Sequence, residues 1–150
     1  MKKILLAVDG SEKSEKAAKK TAELVADGNE VTIMTVVVST NIYHSEYYSL
    51  YSTSDVEKIM EKRKQKIQET GEEILNKNEA ILKETDINIT INKMLRSGDP
   101  AEHICREAEK GEFDLIILAD KGEGGVKRFL LGSTSDKVVR HAKTSVLIVK

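Results

Sequence analysis

Between Ala119 and Ser135 the chain reads Ala119-Asp120-Lys121-Gly122-Glu123-Gly124-Gly125-Val126-Lys127-Arg128-Phe129-Leu130-Leu131-Gly132-Ser133-Thr134-Ser135. The chemistry open to such a stretch is the holding of an anion. Glycines at 122 and 132 allow close backbone approach and positive φ, and a helix expected to start near Ser133 points unpaired amides and roughly +0.5 of charge at whatever precedes it. Ser133, Thr134 and Ser135 add hydroxyl donors, and Lys121, Lys127 and Arg128 outnumber Asp120 and Glu123 by one charge. A chain of phosphates fits these donors. The spacing matches neither the Walker A pattern nor the Gly-x-Gly-x-x-Gly dinucleotide pattern after the first strand. On the glycines alone two readings stand: a phosphate-holding loop, and an ordinary strand-to-helix turn rich in flexible residues.

The remaining reactive side chains are weighed the same way. Asp9, ahead of Gly10, is either an acceptor for a ligand hydroxyl or the polar residue of an Asp-Gly turn. Asp99 followed by Pro100 is a helix cap and is left out of the site. Cys105 lies in the Ala101, Ile104, Ala108 stripe and reads as a core thiol. His44, His103 and His141 fall on separate elements without ligand spacing, so no metal centre built from protein side chains is expected. All four tyrosines, Tyr43, Tyr47, Tyr48 and Tyr51, fall in one loop. That loop is a lid, a partner surface or a self-packed segment.

These residues must be positioned by the elements around them. Ile4–Val8 and Leu115–Ala119 are short uninterrupted aliphatic runs, the pattern of strands buried on both faces, and Val31–Val38 and Val146–Val149 are similarly aliphatic. Ile87, Ile89 and Ile91 alternate with polar residues, as in a strand with one wet face near a sheet edge. Helical stripes run through Ala17, Ala18, Thr21, Leu24 and Val25, with Gly28 as the expected C-terminal cap, and through Val138, Val139 and Ala142. The longest helix is expected to open at the Ser54-x-x-Glu57 capping box and to carry Val56, Ile59, Met60, Ile67, Ile74, Ile81 and Leu82 inward, with the Lys58–Lys66 charge run as its solvated face. The order β-α-β-α-β-α-β-α-β implies a parallel sheet with helices on both faces, whose ligands bind at the carboxyl ends of the strands. The loops after Val8, Val38, Arg96 and Ala119 are therefore where chemistry is expected.

The 150 residues suit one compact domain over 1–150, and 39% apolar residues suffice for a core. With 24 basic and 25 acidic residues the net charge is −1, which argues against nucleic acid or an anionic membrane as partner. No apolar run approaches the ~20 residues of a membrane span, and Asp9 interrupts the short run after Lys2-Lys3 before a secretory core could form. One cysteine excludes an internal disulfide. The expected location is the cytoplasm.

The 119–135 stretch resembles the Gly-x-x-Gly-x9-Gly-Ser/Thr signature of the ATP-binding branch of the universal stress protein family. Ile4–Val8 with Asp9-Gly10-Ser11 resembles the family's first strand and turn, Gly98-Asp99-Pro100-Ala101 its mid-chain turn, and Leu130-Leu131-Gly132-Ser133 with Val146–Val149 its ending. The resemblance spans the chain. It implies a Rossmann-like, open five-stranded parallel sheet in order 3-2-1-4-5 that binds ATP at its carboxyl edge, with Mg²⁺ held through the phosphates. It implies a homodimer through Val146–Val149 as well, and a strand edge left uncovered there would invite aggregation. The implied ATP contacts are Ala7, Val8 and Asp9, Val36 on strand two, and Ala119, Lys121, Gly122, Gly132, Ser133, Thr134 and Ser135.

Where the signature has its first glycine this chain has Ala119. If that position requires positive φ, alanine there costs about 1 kcal/mol. Asp120, within about 4–6 Å of a triphosphate, repels it unless turned away or bridged by a cation. The expected function is a stress-response regulator that binds nucleotide without evident turnover, since the loop offers no general base beside the phosphates. The alternatives are a nucleotide-independent homodimeric interaction module and a very slow ATPase or self-phosphorylating protein.

Overall fold

Ile4, Leu5 and Leu6 have no solvent exposure because their strand, β1 (Lys3–Ala7), is the middle of a five-stranded sheet. The computed structural model describes residues 2–38, 53–120 and 131–150. Within them, α1 (Glu12–Leu24), β2 (Glu30–Val37), α2 (Thr53–Lys83), β3 (Thr90–Ser97), α3 (Pro100–Lys110), β4 (Leu115–Ala119), α4 (Ser133–His141) and β5 (Ser145–Val149) follow β1. The strand order is β3-β2-β1-β4-β5 and every pairing is parallel. At the carboxyl edge the register places Ala7 beside both Met34 and Leu118, Val36 beside Arg96, and Ala119 beside Val149.

Side-chain alternation divides the core into two layers. Ile4, Leu6, Val8, Val31, Ile33 and Ile117 face Ala17, Ala18 and Val25 of the α1 side and Leu75 and Leu82 of α2. Leu5, Ala7, Met34, Ile116 and Leu118 face Ala101, Ile104 and Ala108 of α3 and Val138 of α4. The helices thus cover both faces, as the parallel crossovers require. The long helix comes close to the sheet at Gly71, where an added Cβ would lie 2.5 Å from Leu95 Cδ1.

Several boundaries differ from the sequence reading. β3 starts at Thr90, not near Ile87, because the parallel ladder can begin only where β2 does, at the Glu30–Thr90 pair. Ile87, Ile89 and Ile91 still pack on the α1/α2 layer, so the alternation correctly marked their inward face. The C-cap of α1 is Val25, whose amide donates to Thr21 O at 3.1 Å, and Gly28 (φ +78) belongs to the turn beyond. The long helix opens at Thr53, which leaves Ser54 inside its first turn. On α4 the buried positions are Ser135 and Val138, while Val139 is exposed. The tyrosines at 43, 47, 48 and 51 lie outside the described residues.

Candidate functional site

Helix α1, which follows β1, and helix α4, which follows β4, lie on opposite faces of the sheet although the two strands are neighbours. Such a switch in direction opens a crevice at the carboxyl ends of the strands. Asp9 and Asp120 stand on its two sides, just past Val8 and Ala119.

Asp9 is exposed and its Oδ1 accepts hydrogen bonds from the Ser11 amide at 3.0 Å and the Ser11 hydroxyl at 2.6 Å. Ser11 Oγ in turn accepts the Ser14 amide at 3.2 Å as the N-cap of α1. The turn reading of Asp9 is therefore realised, through Oδ1, and it sets the start of α1. Gly10 takes φ +84, and a Cβ there would sit 3.0 Å from Ile74, so glycine is required on two counts. Ala7 and Val8 are buried in opposite layers, and the Val8 amide is used by Met34 O at 2.9 Å.

Across the crevice, Ala119 ends β4 in strand conformation. Glu112 is the non-glycine residue with positive φ among the described residues, so alanine at 119 carries no left-handed strain. The backbone of Asp120 is held on both sides. Its amide donates to Val149 O at 2.8 Å, and its carbonyl accepts the Gly132 amide at 2.7 Å and the Ser135 hydroxyl at 2.5 Å. Ser135 is buried, and its hydroxyl also lies 3.0 Å from Gly132 O. Gly132 is the N-cap of α4 with φ −64 and ψ 161, an ordinary extended conformation that does not use the positive φ open to glycine. Because glycine has no side chain, α4 begins without a side-chain cap, whereas Ser11 caps α1 and Asp99 caps α3. Gly132 therefore supplies no side-chain oxygen to the first-turn amides of α4, and exposed Ser133 and half-buried Thr134 stand beside them. Lys121 and Gly122 lie outside the described residues.

The carboxylate of Asp120 has a charged partner on α1. Lys13, in the first turn of α1, places Nζ 3.1 Å from Asp120 Oδ1, with side-chain exposures of 43% and 21%. The pair offsets the negative charge of Asp120.

Beside Asp9 an open cleft of ≈ 410 Å³ lies between the end of β2 and α2, walled by Val36, Val37, Ile67 and Ile74 with Thr35, Lys66 and Thr70 among them. It brings Asp9 and Val36 together and adds an α2 wall that the sequence did not disclose. Thr35 is 1% exposed and its hydroxyl has no hydrogen-bond partner among the described residues. Thr70 donates its own hydroxyl to Lys66 O at 2.9 Å.

The turn after β3 is structural. Asp99 accepts the Glu102 amide at 2.9 Å and meets Lys137 Nζ at 3.2 Å; those two contacts, the amide foremost, hold its carboxyl below the usual range. His103 Nε2 donates to Ser97 O at 2.9 Å and Nδ1 accepts from Arg106 at 2.6 Å, which assigns the tautomer. Burial pushes the Cys105 thiol upward, in keeping with a core role. No group of three or more metal-ligating side chains occurs among the described residues.

The family model described as "Universal stress protein family" matches residues 1–150. The chain is 32% identical over 149 residues to a universal stress protein of Methanocaldococcus jannaschii, covering 99% of this chain and 82% of that one. Among solved structures, hypothetical protein MJ0577 is similar at TM-score 0.75 and 32% identity, over 99% of this chain and 95% of that one. A universal stress protein family protein from Arabidopsis thaliana with AMP bound is similar at TM-score 0.66 and 21% identity, over 100% and 92% of the two chains.

Proposed function

The chain belongs to the universal stress protein family, and from that membership we propose that it is a nucleotide-binding regulator that holds ATP across the crevice between Asp9 and Asp120. The observation that carries the reading is the uncapped start of α4, pinned to the end of β4. The phosphates face the amides and hydroxyls of Ser133 and Thr134, with Gly132 allowing the approach, Ser135 fixing the helix end, and Lys121 and Gly122 completing the loop. The nucleoside lies along Ala7, Val8 and Ala119 towards Asp9 and Val36, where the apolar walls of the cleft suit a flat ring. Mg²⁺, where present, is held by the phosphates. The AMP complex of the Arabidopsis protein supports nucleotide as the ligand class.

The function is binding rather than turnover. Asp9 is occupied with Ser11 and Asp120 with Lys13, so neither carboxylate is placed as a free base for a water. The protein works as one domain in the cytoplasm; no helix among the described residues is long and apolar enough to cross a membrane. Two copies pair through Val146–Val149, since β5 has β4 as its partner on one side only among the described residues. A second reading, a nucleotide-independent homodimeric module, is favoured by one observation: a carboxylate, Asp120, at the mouth of the anion site.

Isothermal titration with ATP, ADP and AMP, with and without Mg²⁺, separates the two. Saturable binding that is tighter for ATP than AMP and lost in Gly132→Val supports the nucleotide reading. Heats no greater than those of dilution, from protein free of copurified nucleotide, support the module.

A further inference from the structure

We propose that Lys13 is the charge-compensating residue of the anion site, and that its pair with Asp120 sets how strongly the protein prefers a triphosphate to a monophosphate. The inference rests on the nucleotide reading above and assigns it a specificity-determining residue.

The backbone of Asp120 is held at the helix end. Its amide is bonded to Val149 and its carbonyl to Gly132 and Ser135, so the carboxylate projects from a backbone tied to β5 on one side and to α4 on the other. Lys13 is rooted as firmly, in the first turn of a helix capped by Ser11, which Asp9 holds in turn. The two anchored backbones bring Nζ and Oδ1 to 3.1 Å from positions 107 residues apart.

The pair contributes little to the fold. With 43% of the lysine side chain and 21% of the aspartate exposed, water screens it, and the entropy of holding a long side chain offsets much of the attraction. Its effect on an incoming anion is larger, because an unpaired carboxylate beside the start of α4 would cancel part of the field that makes that start attractive. Lys13 converts a negative charge into a neutral pair, and its exposed ammonium can share its donors with a phosphate oxygen. Repulsion from an uncompensated Asp120 grows with ligand charge, so removing Lys13 penalises ATP more than AMP.

The test is titration of ATP and AMP into the full chain and into Lys13→Met, Lys13→Arg, Asp120→Asn and the Lys13→Met/Asp120→Asn double variant, with thermal melts confirming that each folds. Lys13→Met is expected to weaken ATP about tenfold and AMP less than about threefold, with Lys13→Arg near the parent. The double variant is expected to regain ATP affinity to within about threefold of the parent. Equal losses for ATP and AMP overturn the proposal, as does a double variant no better than Lys13→Met, which would make lysine a direct ligand only. ATP binding that appears only in Asp120→Asn overturns compensation while leaving the site in place. No nucleotide binding by the parent or Asp120→Asn removes the site as well.

Discussion

The amide of Gly132 donates to the carbonyl of Asp120 at 2.7 Å, closing the path from the end of β4 to the start of α4 at its two ends. Ser135 adds its hydroxyl to the same carbonyl at 2.5 Å. The start of α4 is therefore fixed to the sheet edge by bonds that lie outside the glycine-rich residues between them. A site that presents backbone amides to an anion depends on such fixing, since each amide must be aimed before the ligand arrives.

Ser135→Ala removes one of these two donors and leaves a buried carbonyl with the Gly132 amide alone. The expected loss of stability is about 1–2 kcal/mol, read as a lower urea midpoint at unchanged slope. Nucleotide affinity should fall with it, because the first turn of α4 gains freedom.

Ala119→Gly restores the glycine of the family signature, but the residue already sits in ordinary strand geometry. Glycine in a strand costs roughly 0.5–1 kcal/mol in backbone entropy, and here it relieves no strain. A modest drop in melting temperature with ATP affinity changed by less than about threefold is expected. A large gain in affinity would show that the alanine methyl itself obstructs the ligand.

Among the described residues, four carboxylates are held below their usual range by partners that exist in the fold. Asp99 is lowered by the Glu102 amide and then Lys137, Asp114 by the amides of Lys2 and Lys3, Glu79 by Lys83 and then Lys93, and Glu107 by Arg96. A carboxylate lowered on folding contributes stability above its unfolded value and loses it as pH falls towards its folded one. Urea midpoints should therefore be level near neutrality and decline as pH drops below about 4. Asp99→Asn, which keeps a capping oxygen but cannot ionise, should flatten part of that decline.

The strand order and layers follow from features that are local in sequence. Ile4–Val8 and Leu115–Ala119 are aliphatic throughout because both faces of those strands are covered, and Asp99-Pro100 marks a helix start by short-range hydrogen bonding alone. What stayed hidden is long-range. Nothing near Lys13 announces Asp120, and Lys66 reads only as part of a solvated helix face until the end of β2 is seen beside it. The backbone at Gly132 and Ala119 is hidden for a related reason: glycine chemistry leaves positive φ open, and the tertiary bonds to Asp120 and Val149 hold these positions extended.

Thr35 supplies the last test. Its side chain is 1% exposed at the wall of the cleft and its hydroxyl has no hydrogen-bond partner among the described residues, a state that costs about 1–3 kcal/mol relative to a satisfied group. Valine matches threonine in shape, keeps the strand preference and has no polar group to bury. Thr35→Val is therefore expected to raise stability by about 1 kcal/mol, seen as a higher urea midpoint and melting temperature. A loss of stability instead would mean that the hydroxyl is satisfied in solution, and a water bridging it to the cleft would then be the partner to seek.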